Sequence, residues 1–461
     1  MMGRTLEPRQ KLYAGLLPLL LAGGLVVNCS GTADNTKPAN IAGASGNMAG
    51  ASSTAGAAPI AGQSGSASGG ETGGMQPVNG KCVSSSSQHA DGLCYCQPSS
   101  LTYCSDACAD VKVDPDHCGS CTTKCTDTQG CIAQKCSDTP TALVPAAAGC
   151  GSLKLLLAGS TLYWTNAMKG TVNSIPVAGG AAKEIATGEM NPTTLAISGS
   201  NLYWFAKGAK SIRKKPADGT GTASDVVASS AVTTACTGFT GTKECGIGGF
   251  TVTATGDLYY SVGSKIFEIP AAGGAAVTVG HEDSGIPTAL AVENDLLGFP
   301  ADVNGDVDVV KVVANTDAYC KTEVNTDNTN CIRVARSQGS LILDSVFMAN
   351  KVVYWVDGSS VKSNSATSND PTMMGSNVTI AGSDSSLSAF TVSGESTYFA
   401  DKSEGGFVYM APLTANATPT LIARKQKGVT SIAGDASAVY WAPSDCSIMS
   451  LALAGSSVGT L

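Results

Sequence analysis

All four tryptophans of this chain follow a tyrosine: Tyr163-Trp164, Tyr203-Trp204, Tyr354-Trp355 and Tyr440-Trp441. Three weaker copies fill the gaps between them, at Tyr259-Tyr260, Gly298-Phe299 and Tyr398-Phe399. Between the second members of successive pairs the spacings are 40, 56, 39, 56, 44 and 42 residues. An apolar, alternating stretch and a Gly, Asn or Asp turn precede each pair, as in Leu195-Ala196-Ile197-Ser198-Gly199-Ser200-Asn201. A second hairpin ending in proline follows, as in Gly170-Thr171-Val172-Asn173-Ser174-Ile175-Pro176. Alternation with turn clusters marks strands, not helices.

Each unit reads as four short strands, and a four-stranded repeat of about 40–45 residues is the signature of a propeller blade. The expected fold is all-β, a seven-bladed β-propeller over residues 141–461. Six or eight blades are the alternatives, because the Gly298-Phe299 copy is degenerate. Ala142-Leu143-Val144 is expected to supply the missing strand of the last blade. Leu162-Tyr163-Trp164-Thr165-Asn166 resembles the YWTD repeat of low-density-lipoprotein-receptor propellers and related bacterial surface propellers. That resemblance implies the fold and no particular ligand. It departs from the family in copy number, since those receptors have six blades, and in lacking the acidic fourth residue in most copies.

With 17 Cys the chain is poorly suited to a reducing cytosol. Arg4, Arg9 and Lys11 precede an apolar run from Leu12 to Val27, the order of a secretory signal, here residues 1–28. Val26-Val27-Asn28-Cys29-Ser30-Gly31 is similar to a bacterial lipobox, which implies lipidation at Cys29 and a lipid anchor at the cell envelope, the outer membrane above all. Cleavage after Gly31-Thr32-Ala33 and free secretion is the alternative. Residues 29–80 are low in complexity and rich in Gly, Ala, Ser and Thr, and read as a disordered linker.

Ten cysteines then fall between Cys82 and Cys136, within a module spanning 81–137 that has almost no apolar core. Disulfides are expected to hold it, in a pairing that spacing does not fix. The Cys118-Gly119-Ser120-Cys121 spacing also suits zinc, although oxidation competes with metal for thiolates. His117 beside it reads as a solvated loop residue. From Cys104 through Asp114-Pro115-Asp116-His117-Cys118 to Cys125 the pattern resembles the cysteine-rich repeat of Stig1-like proteins, which implies an extracellular structural or interaction module. Six cysteines remain in the propeller. Cys236 with Cys245, and Cys320 with Cys331, are expected to close insertions in the two long repeats. Cys150 and Cys446 lie at opposite ends of a ring and are expected to clasp it, which the chain-entropy model values at about 4–5 kcal/mol.

Candidate chemistry is sparse. Lys+Arg 28 against Asp+Glu 36 gives a net charge of -8, without the basic footprint that nucleic-acid binding requires. Asp302, Asn304, Asp306 and Asp308 alternate like calcium ligands, although a hairpin turn explains the same residues. Lys210, Arg213, Lys214 and Lys215 form the one basic run and read as a solvated outer strand. The Tyr-Trp pairs read as core packing before carbohydrate platforms. His281 is the sole histidine of the propeller, so a Ser-His-Asp triad would have to use it, with Asp283 and Ser284 close by.

The leading expectation is therefore a surface-tethered or secreted, non-enzymatic binding protein. It would present a propeller face to an extracellular protein, peptide or glycan, with no cofactor beyond the calcium alternative and with membrane contact through its lipid anchor. A propeller enzyme of lyase or glycoside hydrolase type acting at the central face, and a structural envelope protein, are the alternatives.

Overall fold

The structure is a computed structural model. It describes residues 86–88, 94–96, 100–104, 108–149, 151–239, 244–282, 285–301, 306–313, 317–320, 330–336, 345–367 and 377–453. They fall in one compact unit, Gly69–Leu461. The signal segment 1–28, Cys29 and the linker 29–80 lie outside the described residues, as do Cys82, Cys150, Asp302, Asn304, Asp283 and Ser284.

Seven antiparallel sheets follow one another along the chain, at 153–186, 192–227, 247–282, 291–336, 347–382, 387–423 and 431–452. They are blades one to seven of a β-propeller. The seventh takes its outermost strand from Thr141–Val144, which pairs with Ile448–Ala452 and so sews the start of the ring to its end. Six blades are four-stranded; blade three gains a fifth strand, Ala318–Cys320, which runs parallel to its own outermost strand. That added strand belongs in sequence to the long insertion of blade four.

Adjacent residues of a strand point to opposite faces of the sheet. The Tyr-Trp pair uses this rule to bind blade to blade. Tyr163 shares a buried cluster with Trp204 of the next blade, Tyr203 with Tyr260, and Tyr259 with Phe299. The series continues through Tyr354 with Phe399 and Tyr398 with Trp441, and closes with Tyr440 against Trp164. All of these rings are buried, which settles the pairs as core. At the degenerate copy, Gly298 stands where six blades have tyrosine, and a Cβ there would lie 3.0 Å from the Met348 sulfur of blade five. Met348 fills the space that the missing ring leaves, so the fourth interface closes with a flexible thioether in place of an aromatic.

Two insertions depart from the regular blade. A short helix, Ser229–Ala235, stands between blades two and three, and Cys236 and Cys245 are joined just beyond it. Cys320 and Cys331 are joined between the added strand of blade three and the outermost strand of blade four. Cys446 is disulfide-bonded.

Four further disulfides hold the cysteine-rich module: Cys96–Cys108, Cys104–Cys121, Cys118–Cys131 and Cys125–Cys136. Cys118 and Cys121 thus go to different partners, and their thiolates are spent on disulfides, not on zinc. His117 is buried, contrary to the solvated position expected for it, because its ring turns inward and Nδ1 meets the Asp114 carboxylate at 3.0 Å.

The module is seated on the outermost strand of blade six, Thr420–Ala423. Gln129 makes a β-bridge with Ala423, the Arg424 amide donates to the Thr128 carbonyl, and the Ser137 hydroxyl donates to the Ile422 carbonyl. The Arg424 side chain donates to the carbonyls of Gln129 and Thr126, at 2.9 Å each, and reaches Asp116. Lys425 pairs with Asp127. A sheet edge that would otherwise present unpaired backbone groups is covered. Gly130 is required by the closeness of the two chains, since a Cβ there would lie 1.8 Å from the Leu421 carbonyl oxygen.

Gly130→Ala should therefore lift the module off blade six while the ring stays folded. Limited proteolysis should show this as new cutting at the Ser137-Asp138 link, where Ser137 is buried against blade six; an unchanged digest would refute it. Acid should act in the same direction. Burial alone would raise the Asp116 carboxyl, but Lys124 and Arg424 outweigh it and hold the group below its usual value; the hydrogen bond and charge of Lys425 do the same for Asp127. A carboxylate depressed in the folded state stabilises above its unfolded pKa, and that contribution is lost as pH falls through the folded value. Docking should accordingly weaken below about pH 4.

Candidate functional site

The innermost strands of the seven blades line a central channel with a cavity volume of about 210 Å³. On five of these strands one residue lies level with the aromatic of the Tyr-Trp pair: Leu155, Leu195, Phe250, Phe390 and Ile432 pair with residues 164, 204, 260, 399 and 441. These side chains are apolar and pack between blades. The residues just before them are small or hydroxylated at four of the five, namely Thr194, Gly249, Ala389 and Ser431. Small size is needed where strands crowd: a Cβ on Gly249 would lie 2.7 Å from the Ala289 Cα, and the Ser431 hydroxyl accepts from the Leu155 amide. Lys154 is the one charged side chain on the described wall. The volume falls below the roughly 300–1,000 Å³ of ordinary small-molecule pockets.

Buried charge lies outside the channel, beneath the face that carries the loops joining one blade to the next. Glu189, in the loop from blade one to blade two, accepts from the Trp204 indole at 2.8 Å and from Arg213 at 2.5 Å. Arg213 also reaches Asp225 at 3.0 Å. Gln426 holds the Trp441 indole at 2.9 Å in the corresponding place between blades six and seven. The basic run is thus not a solvated outer strand. Ser211–Pro216 is the third of four strands, with Ser224–Val227 outside it, and Arg213 reaches back to the preceding loop.

Between blades three and four the polarity is exchanged. Arg333, on the outermost strand of blade four, donates to Asp308 with two bonds of 3.0 and 3.1 Å. Its guanidinium lies 3.3 Å from Asp306 and 4.0 Å from Glu282; the three carboxylates are buried and the Arg333 side chain is 6% exposed. Burial alone would lower the Arg333 pKa, but the hydrogen bond and charge of Asp308, then Asp306 and Glu282, more than reverse this and raise it. Asp306 and Asp308, the described half of the calcium-like run, therefore face a guanidinium. Asp401, also buried, accepts from the Ser403 hydroxyl at 2.6 Å and from the Phe407 amide at 3.3 Å.

His281 lies on the fourth strand of blade three, Val277–Glu282, where Nδ1 meets Asp317 at 2.9 Å. The structure does not bring it to the channel wall. Sequence reading missed Glu189, Glu282 and Arg424 as anchors. One signal was available: Glu189 precedes Trp204 by 15 residues, and Gln426 precedes Trp441 by the same interval.

No protein-family model and no curated protein matches the chain. Solved structures do. Virginiamycin B lyase from Staphylococcus aureus aligns in two forms, a catalytically inactive histidine-to-alanine variant with quinupristin and a selenomethionine-substituted protein. Each covers 68% of this chain and 99% of its own, with a TM-score of 0.51 at 13% and 14% identity. A chain from a nidogen/laminin complex aligns more loosely, at a TM-score of 0.36. At these identities the likeness extends to the fold, a propeller shared by proteins of different activity.

Proposed function

We propose that the protein is an exported, non-enzymatic binding protein, tethered at the cell envelope through Cys29, that presents the blade-connecting face of its propeller to an extracellular partner. One observation carries this reading: the buried carboxylates Glu189, Asp308 and Asp401 are each engaged in holding the frame. The disulfides support export, since such bonds persist in oxidising compartments.

A lyase is the second reading, favoured by the shared propeller of the Staphylococcus aureus enzyme, whose inactive form lacks a histidine. In this chain His281 sits on the fourth strand of blade three, away from the channel wall. The test uses the full chain as bait, crosslinked to envelope and extracellular fractions. A partner that binds saturably, with no turnover, is expected. A turnover activity that disappears when one propeller carboxylate is replaced would overturn the binding reading. Mass spectrometry of the mature N-terminus should show a lipidated Cys29; an unmodified N-terminus beyond it would refute the anchor.

A further inference from the structure

Three loops of the connecting face over blades one and two are laced together by their backbones. They are the 167–170 turn of blade one, the 187–191 loop between the blades, and the 207–210 turn of blade two. The Glu189 amide donates to the Gly170 carbonyl, Gly208 to Met190, and Lys207 to Asn191, at 2.8 to 3.1 Å. Gly170 is in the left-handed region at φ +65, and a Cβ there would lie 2.4 Å from the Glu189 carbonyl oxygen. Below, the Glu189 carboxylate is held by Trp204 and Arg213. These loops are therefore fixed from beneath.

What they display is unusual for a fixed surface. Met168 is 71% exposed and Met190 60%; the next large apolar residues, Val378 and Val313, are at 39% and 36%. Single exposed apolar residues carry no message. Here, however, the two most exposed of the described chain stand on neighbouring, immobilised loops. Methionine is the side chain that adapts best to an apolar partner surface. Lys169, Lys207 and Lys210 are exposed on the same loops, against the single carboxylate of Glu244 that meets Lys210. Lys154 continues the positive character into the channel wall of the same blade. The chain as a whole carries -8, so this patch runs against its average. Glycan stacking would call for exposed aromatic rings, whereas the Tyr-Trp pairs are buried.

We propose that this patch is the docking surface for an acidic polypeptide segment with interspersed aliphatic side chains, contributed by a partner protein. The methionines cover the aliphatic groups and the lysines meet the carboxylates. The inference rests on the binding reading above and gives that partner a chemistry.

The test is a titration of the full chain with a short labelled peptide of leucine, glutamate and serine. A matched peptide with lysine in place of glutamate, and one with serine in place of leucine, serve as controls. The wild-type chain should bind the first peptide, more weakly as salt rises, and bind both controls at least about tenfold more weakly. Met168→Ser with Met190→Ser, and separately Lys169→Glu with Lys207→Glu, should each lower affinity by about tenfold or more, with the melting temperature unchanged. No binding of the leucine–glutamate peptide, or affinity that neither pair of substitutions moves, would overturn the proposal. A captured natural partner that binds both variants as tightly as wild type would overturn this surface and leave the binding reading intact.

Discussion

Replacing Arg333 with methionine should destabilise the propeller by about 3–5 kcal/mol at neutral pH, because it leaves buried carboxylates without their counter-charge. Asp308, Asp306 and Glu282 all face the guanidinium, and the side chains are almost wholly enclosed. In the variant at least one of these carboxyls should take up a proton in the folded state, its pKa raised above the unfolded value by burial and like charge. A raised folded pKa contributes stability that is complete below the unfolded pKa and lost as pH rises through the folded one. The deficit should therefore shrink on acidification from about pH 8 to about pH 5, measured by urea unfolding at a series of pH values. A deficit that stays constant over that range would show that the carboxylates do not share the guanidinium. Adding Asp308→Asn should recover part of the loss.

Trp204→Ala should cost about as much, roughly 3–5 kcal/mol, through the cavity it opens between blades one and two. Trp204→Phe separates volume from hydrogen bonding. It keeps most of the packing, but it removes the indole donor from the buried Glu189 and should cost about 1–3 kcal/mol. Both variants should also weaken peptide docking at Met168 and Met190, because Glu189 fixes the loop that carries Met190. A Trp204→Phe variant as stable as wild type would remove Glu189 from the account of that loop.

The ring itself was legible because its cohesion is local in sequence. A Tyr-Trp pair on each second strand places one ring on either face, and strand alternation makes that readable without coordinates. Even the damaged copy at Gly298 kept its place in the spacing, although the compensation by Met348 came from the next blade and left no trace in its own repeat. The ion clusters were illegible for the same reason. Glu282 and Arg333 come from different blades, and Arg333 lies beyond an insertion. Alternate aspartates at 306 and 308 offer the same oxygen geometry to a guanidinium as to a cation, so the spacing could not tell them apart. The basic run was misplaced by one strand, which turned a partner of Glu189 into an expected solvated edge. The seating of the cysteine-rich module depends on Arg424 reaching backbone carbonyls nearly 300 residues away in sequence, at a separation of 295 for Gln129, and no pattern of side chains announces such a contact.

That seating also decides how the molecule carries mechanical load. Thr141–Val144 closes the ring and is followed by blade one, so a pull transmitted along the polypeptide from its N-terminal side would, in a bare propeller, peel the seam directly. Gln129 and Ser137 of the module, held by Ala423, Ile422 and Arg424 of blade six, lie upstream of that seam and take the strain first. A pull of that kind would thus load the module's contacts before it reached the strand that closes the ring.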